Sequence, residues 1–192
     1  GLRPTLIQAL FNKGKALAAL ERYAEAATVY EAAIAINPDY EEAKWHLSWV
    51  KLALGDFAAG WPLFESRWTV AELGNARRYP QLPQWLGQEP IVGKSLLLYH
   101  EQGLGDTLQF CRYIPLLQAM GAKVSLAVQA PLVDLLSQQW PGVMVAESFA
   151  DVSGFDLATP LMSLPLTLQT SLETVPNKIP YIRLSAPVEL RN

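Results

Sequence analysis

The spacing of apolar residues changes character once along the chain, near residue 70, and that change restricts the fold to two different kinds of layer. Residues 6–68 are rich in Ala, Leu, Glu and Lys, with apolar side chains at helical spacing and breaks only at Pro38 and Gly55. Beyond Ser95, short apolar runs at 95–99, 123–128, 143–146 and 155–158 alternate with helical stretches. This alternation predicts a parallel sheet with crossover helices beginning near Asp106, Pro131 and Leu161. With a further short run at 181–184, about five strands are expected. Residues 69–93 carry Pro80, Pro83, Gly87, Pro90 and Gly93 and read as an irregular connector, which Trp85 and Leu86 should hold against the body of the protein. The expected class is α + α/β: helical hairpins over 5–68, the connector over 69–93, and a Rossmann-like parallel-sheet domain over 94–186.

Within the helical region, Gly14, Tyr23, Ala26, Tyr30, Ala33 and Pro38 resemble one tetratricopeptide (TPR) unit of about 34 residues ending near Tyr40. The second helix needs small residues where it crosses the first, large residues fill the groove, and Pro ends the hairpin. A second, more degenerate copy starts at Glu41 and carries Leu47, Gly55, Phe57, Gly60 and Phe64, with Arg67 where Ala is usual. Each repeat buries its face only against a neighbour, so two repeats are expected to dock on the α/β domain. Such repeats point to a protein or peptide partner. The tryptophans at 45, 49, 61 and 68 can line a peptide groove or pack as core, and their helical spacing favours packing.

The segment with most chemical content is a strand after Lys94, the loop His100-Glu101-Gln102-Gly103-Leu104-Gly105, and an amphipathic helix from Asp106 to about Met120. In an open α/β sheet this first turn lies at the carboxyl ends of the strands, where ligands bind and free amides face outward. A dinucleotide site is the obvious competitor, and its fingerprint fails twice. Leu108 stands at the third glycine, and Val128-Gln129 ends the second strand where a ribose-binding acid is needed. Gly93-Lys94-Ser95 precedes the strand, at the wrong end for a phosphate-binding loop.

Trp85-x-Gly87, Gly93-Lys94-x-Leu96-Leu97, the run from Glu101 through Gly105-Asp106-Thr107 to Phe110-x-Arg112-Tyr113, Ser163-Leu164-Pro165-Leu166 and Pro180-Tyr181 together resemble bacterial TPR proteins with a heptosyltransferase-like region. Gly55-Asp56-Phe57-x-x-Gly60-Trp61 and Arg67-Trp68 are similar to the last repeat of those proteins. The resemblance implies a GT-B architecture, in which this chain supplies the N-terminal, acceptor-binding half. Asp106 would then stand where the family places its candidate general base, with His100, Glu101, Gln102, Gly103, Gly105 and Arg112 as candidate acceptor-binding residues. The resemblance further implies inverting, metal-independent transfer, and no Asp-x-Asp metal pair occurs. A nucleotide-sugar donor would need the second half of the fold, so this chain alone is expected to be inactive and to hold no cofactor. The acceptor would be a saccharide or a protein.

Each of these residues also has a plain structural reading. Asp106 can cap its helix, Gly103 and Gly105 can serve positive φ or close packing, His100 can be a structural histidine, Glu101 and Gln102 can hold the loop, and Arg112 can sit in an ion pair. The alternative to an enzyme-derived unit is therefore a non-catalytic TPR scaffold whose α/β domain is a rigid cap. A net charge of -3, from 15 basic and 18 acidic residues, offers no footprint for nucleic acid. Lone Cys111 cannot form an internal disulfide, which suits a reducing compartment and a cytoplasmic location. No run reaches the ~18 apolar residues of a membrane span.

Overall fold

The computed structural model describes residues 2–74 and 76–183. The chain divides into two compact units, Gly1–Arg77 with Gln169–Val175, and Arg78–Leu168 with Pro176–Asn192.

The first unit is built from α1 (Leu2–Ala19), α2 (Tyr23–Ile36), α3 (Glu41–Ala53) and α4 (Phe57–Phe64), in which α1 pairs with α2 and α3 with α4. Phe11, Leu17, Ala26, Tyr30, Leu47 and Val50 form its core. Close approach of the helices is enforced at glycines. A Cβ on Gly14 would lie 2.5 Å from the Tyr30 ring, and one on Gly60 would lie 2.7 Å from Leu52. Asp56 caps α4 by accepting the Ala59 amide at 3.2 Å. Pro62 sits inside α4, which closes at Phe64, and Glu65–Trp68 continue as a 3-10 turn. Arg67 therefore does not have to fit a helix crossing, and its guanidinium is fully buried beside Glu65 Oε1 at 2.6 Å, between the rings of Phe64 (4.7 Å) and Trp68 (4.6 Å).

The second unit contains β1 (Ser95–Tyr99), α5 (Leu104–Phe110), α6 (Ile114–Ala119), β2 (Lys123–Ala127), α7 (Ala130–Leu136), β3 (Met144–Ala146), β4 (Leu157–Pro160) and α8 (Leu164–Thr167). The four strands form one parallel sheet in the order β3-β2-β1-β4. The α + α/β class expected from the sequence is the class observed. On one face, Leu97 and Tyr99 of β1 and Ala158 of β4 meet Tyr79 of the connector and Phe149, Val152 and Phe155 of the return from β3 to β4. Phe155 belongs to that return, and β4 begins two residues later than the apolar run suggested.

Two expectations are corrected. The helix after the glycine loop is not continuous to Met120; Cys111–Tyr113 form a 3-10 turn between α5 and α6. Pro115, in the first turn of α6, has no amide to donate and restarts the helix. The fifth strand is absent over 181–183, and Leu184 lies outside the described residues. The place beside β4 is taken by the connector: Gln84 bridges Ala158 in parallel, Trp85 N donates to Ala158 O (3.0 Å), and Ala158 N donates to Pro83 O (2.9 Å). A row of strand amides has one open side, and the Pro-rich segment fills it.

The helical unit generates two expectations. Gly14→Ala removes a helix-interior glycine, a gain of about 1 kcal/mol, but drives a methyl into Tyr30, a loss of about 1–3 kcal/mol. The clash should prevail and lower the stability of this unit in chemical denaturation; unchanged or raised stability would refute the tight crossing. His46 packs edge-on to Phe11 (5.1 Å) and stacks on Tyr30 (5.8 Å), and burial, aided by Lys15, lowers its pKa. The neutral ring is the folded form, so stability is full above the unfolded histidine value of about 6.5 and is lost as pH falls below it. The opening free energy of the α2 amides, taken from exchange rates corrected for the intrinsic pH dependence of exchange, should fall on acidification, and less so in His46→Phe.

Candidate functional site

The candidate site is built on the carboxyl end of β1, the strand that lies between β2 and β4. Leu96, Leu98 and Tyr99 are buried in the sheet, and His100 extends the pairing by one step as its amide donates to Ala127 O at 3.0 Å. The connections from β1 to β2 and from β3 to β4 diverge here, which makes the gap between β1 and β4 the topological switch point of the sheet. Glu101 spans it: Oε2 accepts the Met162 amide, just beyond β4, at 3.1 Å.

The glycine loop beyond Glu101 is held from two sides. Asp106 stands in the first turn of α5, and its Oδ2 accepts the Gly103 amide at 2.9 Å. This is half of a capping box, because Gly103 has no side chain with which to return the bond. Among the described residues the other Asp106 oxygen accepts no hydrogen bond. On the far side, Gln129 at the end of β2 donates from Nε2 to Gln102 O (2.7 Å) and accepts from Thr107 Oγ1 (2.8 Å). The tip itself, 102–105, is exposed. Neither glycine is required by a left-handed backbone: Gly103 has φ -70°, and a Cβ on Gly105 would meet nothing within 4 Å. Positive φ and close strand-to-helix packing therefore do not account for this pair, although a Cβ on Gly103 would lie 3.3 Å from Asp106 Oδ2, at the cap itself.

The remaining candidates stand apart from the loop. The His100 ring accepts at Nε2 from Arg78 Nη1, and Arg78 Nη2 donates to Glu147 O at 2.8 Å. Burial, reinforced by the Arg78 charge and opposed by Glu147, lowers the His100 pKa, so the ring is neutral. Its Nδ1 is buried and has no hydrogen-bond partner among the described residues. Arg112 makes no ion pair among the described residues. Its Nη1 donates to Pro176 O at 3.2 Å and its guanidinium lies over the Tyr181 ring at 4.6 Å. Cys111 is fully buried and burial pushes its thiol up to about 12, which leaves it inert. Among the described residues no group of three or more His, Cys, Asp or Glu is placed to hold a metal ion.

Sequence reasoning thus locates the loop but misses Gln129, which clamps it, and Arg78, which bonds to His100 at the end of β1. Gln129 is noticed only as the absence of a ribose-binding acid; its position at the end of the strand beside β1 is the signal for a loop clamp. Arg78 lies in the connector, 22 residues from His100, where no local pattern marks it.

A tetratricopeptide repeat is present: the family matches residues 7–40. Repeats of this kind commonly mediate binding of protein partners. Protein FlbA of Caulobacter vibrioides is 40% identical to this chain over 101 residues, which are 50% of this chain and 16% of that protein. The chain thus matches only a small part of this relative's length. Among the described residues no helix is long and apolar enough to cross a membrane.

Gln129→Leu keeps the side-chain size and deletes both bonds to the loop, about 1 kcal/mol each. Amide exchange over 102–107 should accelerate while the amides of β1 and β2 keep their protection. Unaltered exchange at the loop would show that Gln129 does not hold it.

Proposed function

We propose that the α/β unit is the acceptor-binding half of a glycosyltransferase-like GT-B fold, joined to TPR hairpins that recruit a protein partner. The observation that carries this reading is the glycine loop, exposed and clamped at its base, at the carboxyl end of the strand beside the topological switch point. A hydroxyl of a saccharide or protein acceptor would approach the tip, where Asp106 keeps one oxygen available to take its proton. A nucleotide-sugar donor would be held by a second α/β unit, so the acceptor half by itself would bind without transferring. The resemblance of residues 101–113 to heptosyltransferase-like proteins supports the same assignment.

The scaffold reading draws on a specific observation as well. Glu101 and Asp106 both hold backbone amides, as carboxylates with purely structural duties do. The two readings separate in a titration of the chain with neutral saccharides (glucose, galactose, N-acetylglucosamine and maltose), followed at the amide resonances of 102–105. The acceptor reading expects saturable shifts and several-fold weaker binding in Asp106→Asn, in which the amide oxygen preserves the cap while the charge is lost. Silence of the loop toward every saccharide would leave the scaffold reading in place.

A further inference from the structure

Arg78 is a half-buried guanidinium with no ion-pair partner among the described residues. Its two defined bonds go to neutral acceptors, His100 Nε2 and the carbonyl of Glu147, and among the described residues no carboxylate lies within ion-pairing distance. Those two bonds fix the fork at residues just past the ends of β1 and β3, on the side of a parallel sheet where ligands bind. Partly desolvating a charge without a counter-charge is unfavourable, and a planar guanidinium held in place is matched best by an oxyanion that accepts two parallel N–H bonds. His100 adds an independent sign. Accepting from Arg78 at Nε2 puts its proton on Nδ1, which is buried and bonded to nothing among the described residues, a donor that a bound group or water would satisfy.

We propose that Arg78 and His100 form a binding site for an oxyanion, the carboxylate or phosphate group of a small-molecule ligand, at the carboxyl edge of the sheet. The site does not depend on sugar transfer and goes beyond the acceptor assignment. An anion beside Arg78 offsets the charge that disfavours protonated His100, so binding raises the histidine's affinity for a proton, and by linkage the anion binds more tightly as pH falls. The charged groups facing His100 are Arg78, which opposes its protonation, and Glu147, which favours it. The Glu147 side chain is exposed and screened, and weakens the site modestly.

The test is a titration of the whole chain with inorganic phosphate and, separately, acetate at constant ionic strength, read at the His100 ring resonances. Saturable shifts and an upward move of the His100 titration midpoint are expected with at least one anion, and the tighter of the two identifies the class. Arg78→Gln should weaken binding at least ten-fold, Arg78→Lys less, and Glu147→Gln should strengthen it two- to three-fold. Lys123→Gln, a distant exposed cation, should change nothing. If neither anion moves the wild-type His100 ring, or if Arg78→Lys and Arg78→Gln bind like wild type, the proposal is overturned. The wild-type arm decides the matter even where a variant fails to fold. Neutral saccharides report on the acceptor reading alone, so the two proposals fail separately.

Discussion

A central strand that ends beneath an exposed loop leaves backbone groups unpaired, and the architecture of the candidate site depends on how those groups are satisfied. β1 stops pairing after His100, and beyond it no sheet partner supplies hydrogen bonds to the chain. Three side chains take over. Glu101 receives the Met162 amide just beyond β4, Gln129 reaches from the end of β2 to the Gln102 carbonyl, and Asp106 folds back onto Gly103. The Gln102 and Gly103 backbone groups lie in the exposed tip, where water could also satisfy them, so what these bonds add is chiefly orientation. They also set the loop in one position, which a binding surface requires.

How far the sequence discloses this arrangement depends on the range of each interaction. The helical hairpins are legible because the exclusion of a side chain at Gly14 and the ring of Tyr30 are two sides of one contact, repeated at fixed spacing. The four strands are legible because a parallel sheet covered on its faces reads as short apolar runs. The strand–loop–helix from Ser95 to Phe110 is legible for the same local reason. The long-range bonds around it are not: Met162, Gln129 and Arg78 meet their partners across 61, 27 and 22 residues, distances over which no periodicity survives. The expected fifth strand, which is not formed over 181–183, is a similar case. The edge of β4 is instead paired by Pro83–Trp85, whose composition marks a connector, and only the sheet edge gives that segment a ladder partner.

The second helical hairpin shows how a departure from pattern can be absorbed. Displaced by one repeat of about 34 residues, Tyr30 becomes Phe64, Ala26 becomes Gly60, and Ala33 becomes Arg67. The first two keep the packing logic, one ring and one small residue at the crossing. The third would be impossible in a full-length helix at close contact. Because α4 has already ended, the arginine instead turns between two aromatic faces and pairs with Glu65, so its charge is buried only in company.

A similar sharing of roles bears on Asp106. A carboxylate has two oxygens, and one of them is committed to Gly103, where it secures the entry into α5. That commitment does not compete with accepting a proton at the other oxygen, and it restricts the side chain to an orientation that an unbonded carboxylate would visit only part of the time. A catalytic base and a helix cap are therefore compatible uses of one residue here, provided that the acceptor comes from the exposed side of the loop. Gly105, beside Asp106 in sequence, has no neighbour within 4 Å of where its side chain would begin. A purely structural loop has no need of a bare position there, since an alanine in the first turn would favour the helix. The loop is thus tied down at its base and bare at Gly105, and packing within the α/β unit explains the first of these and not the second.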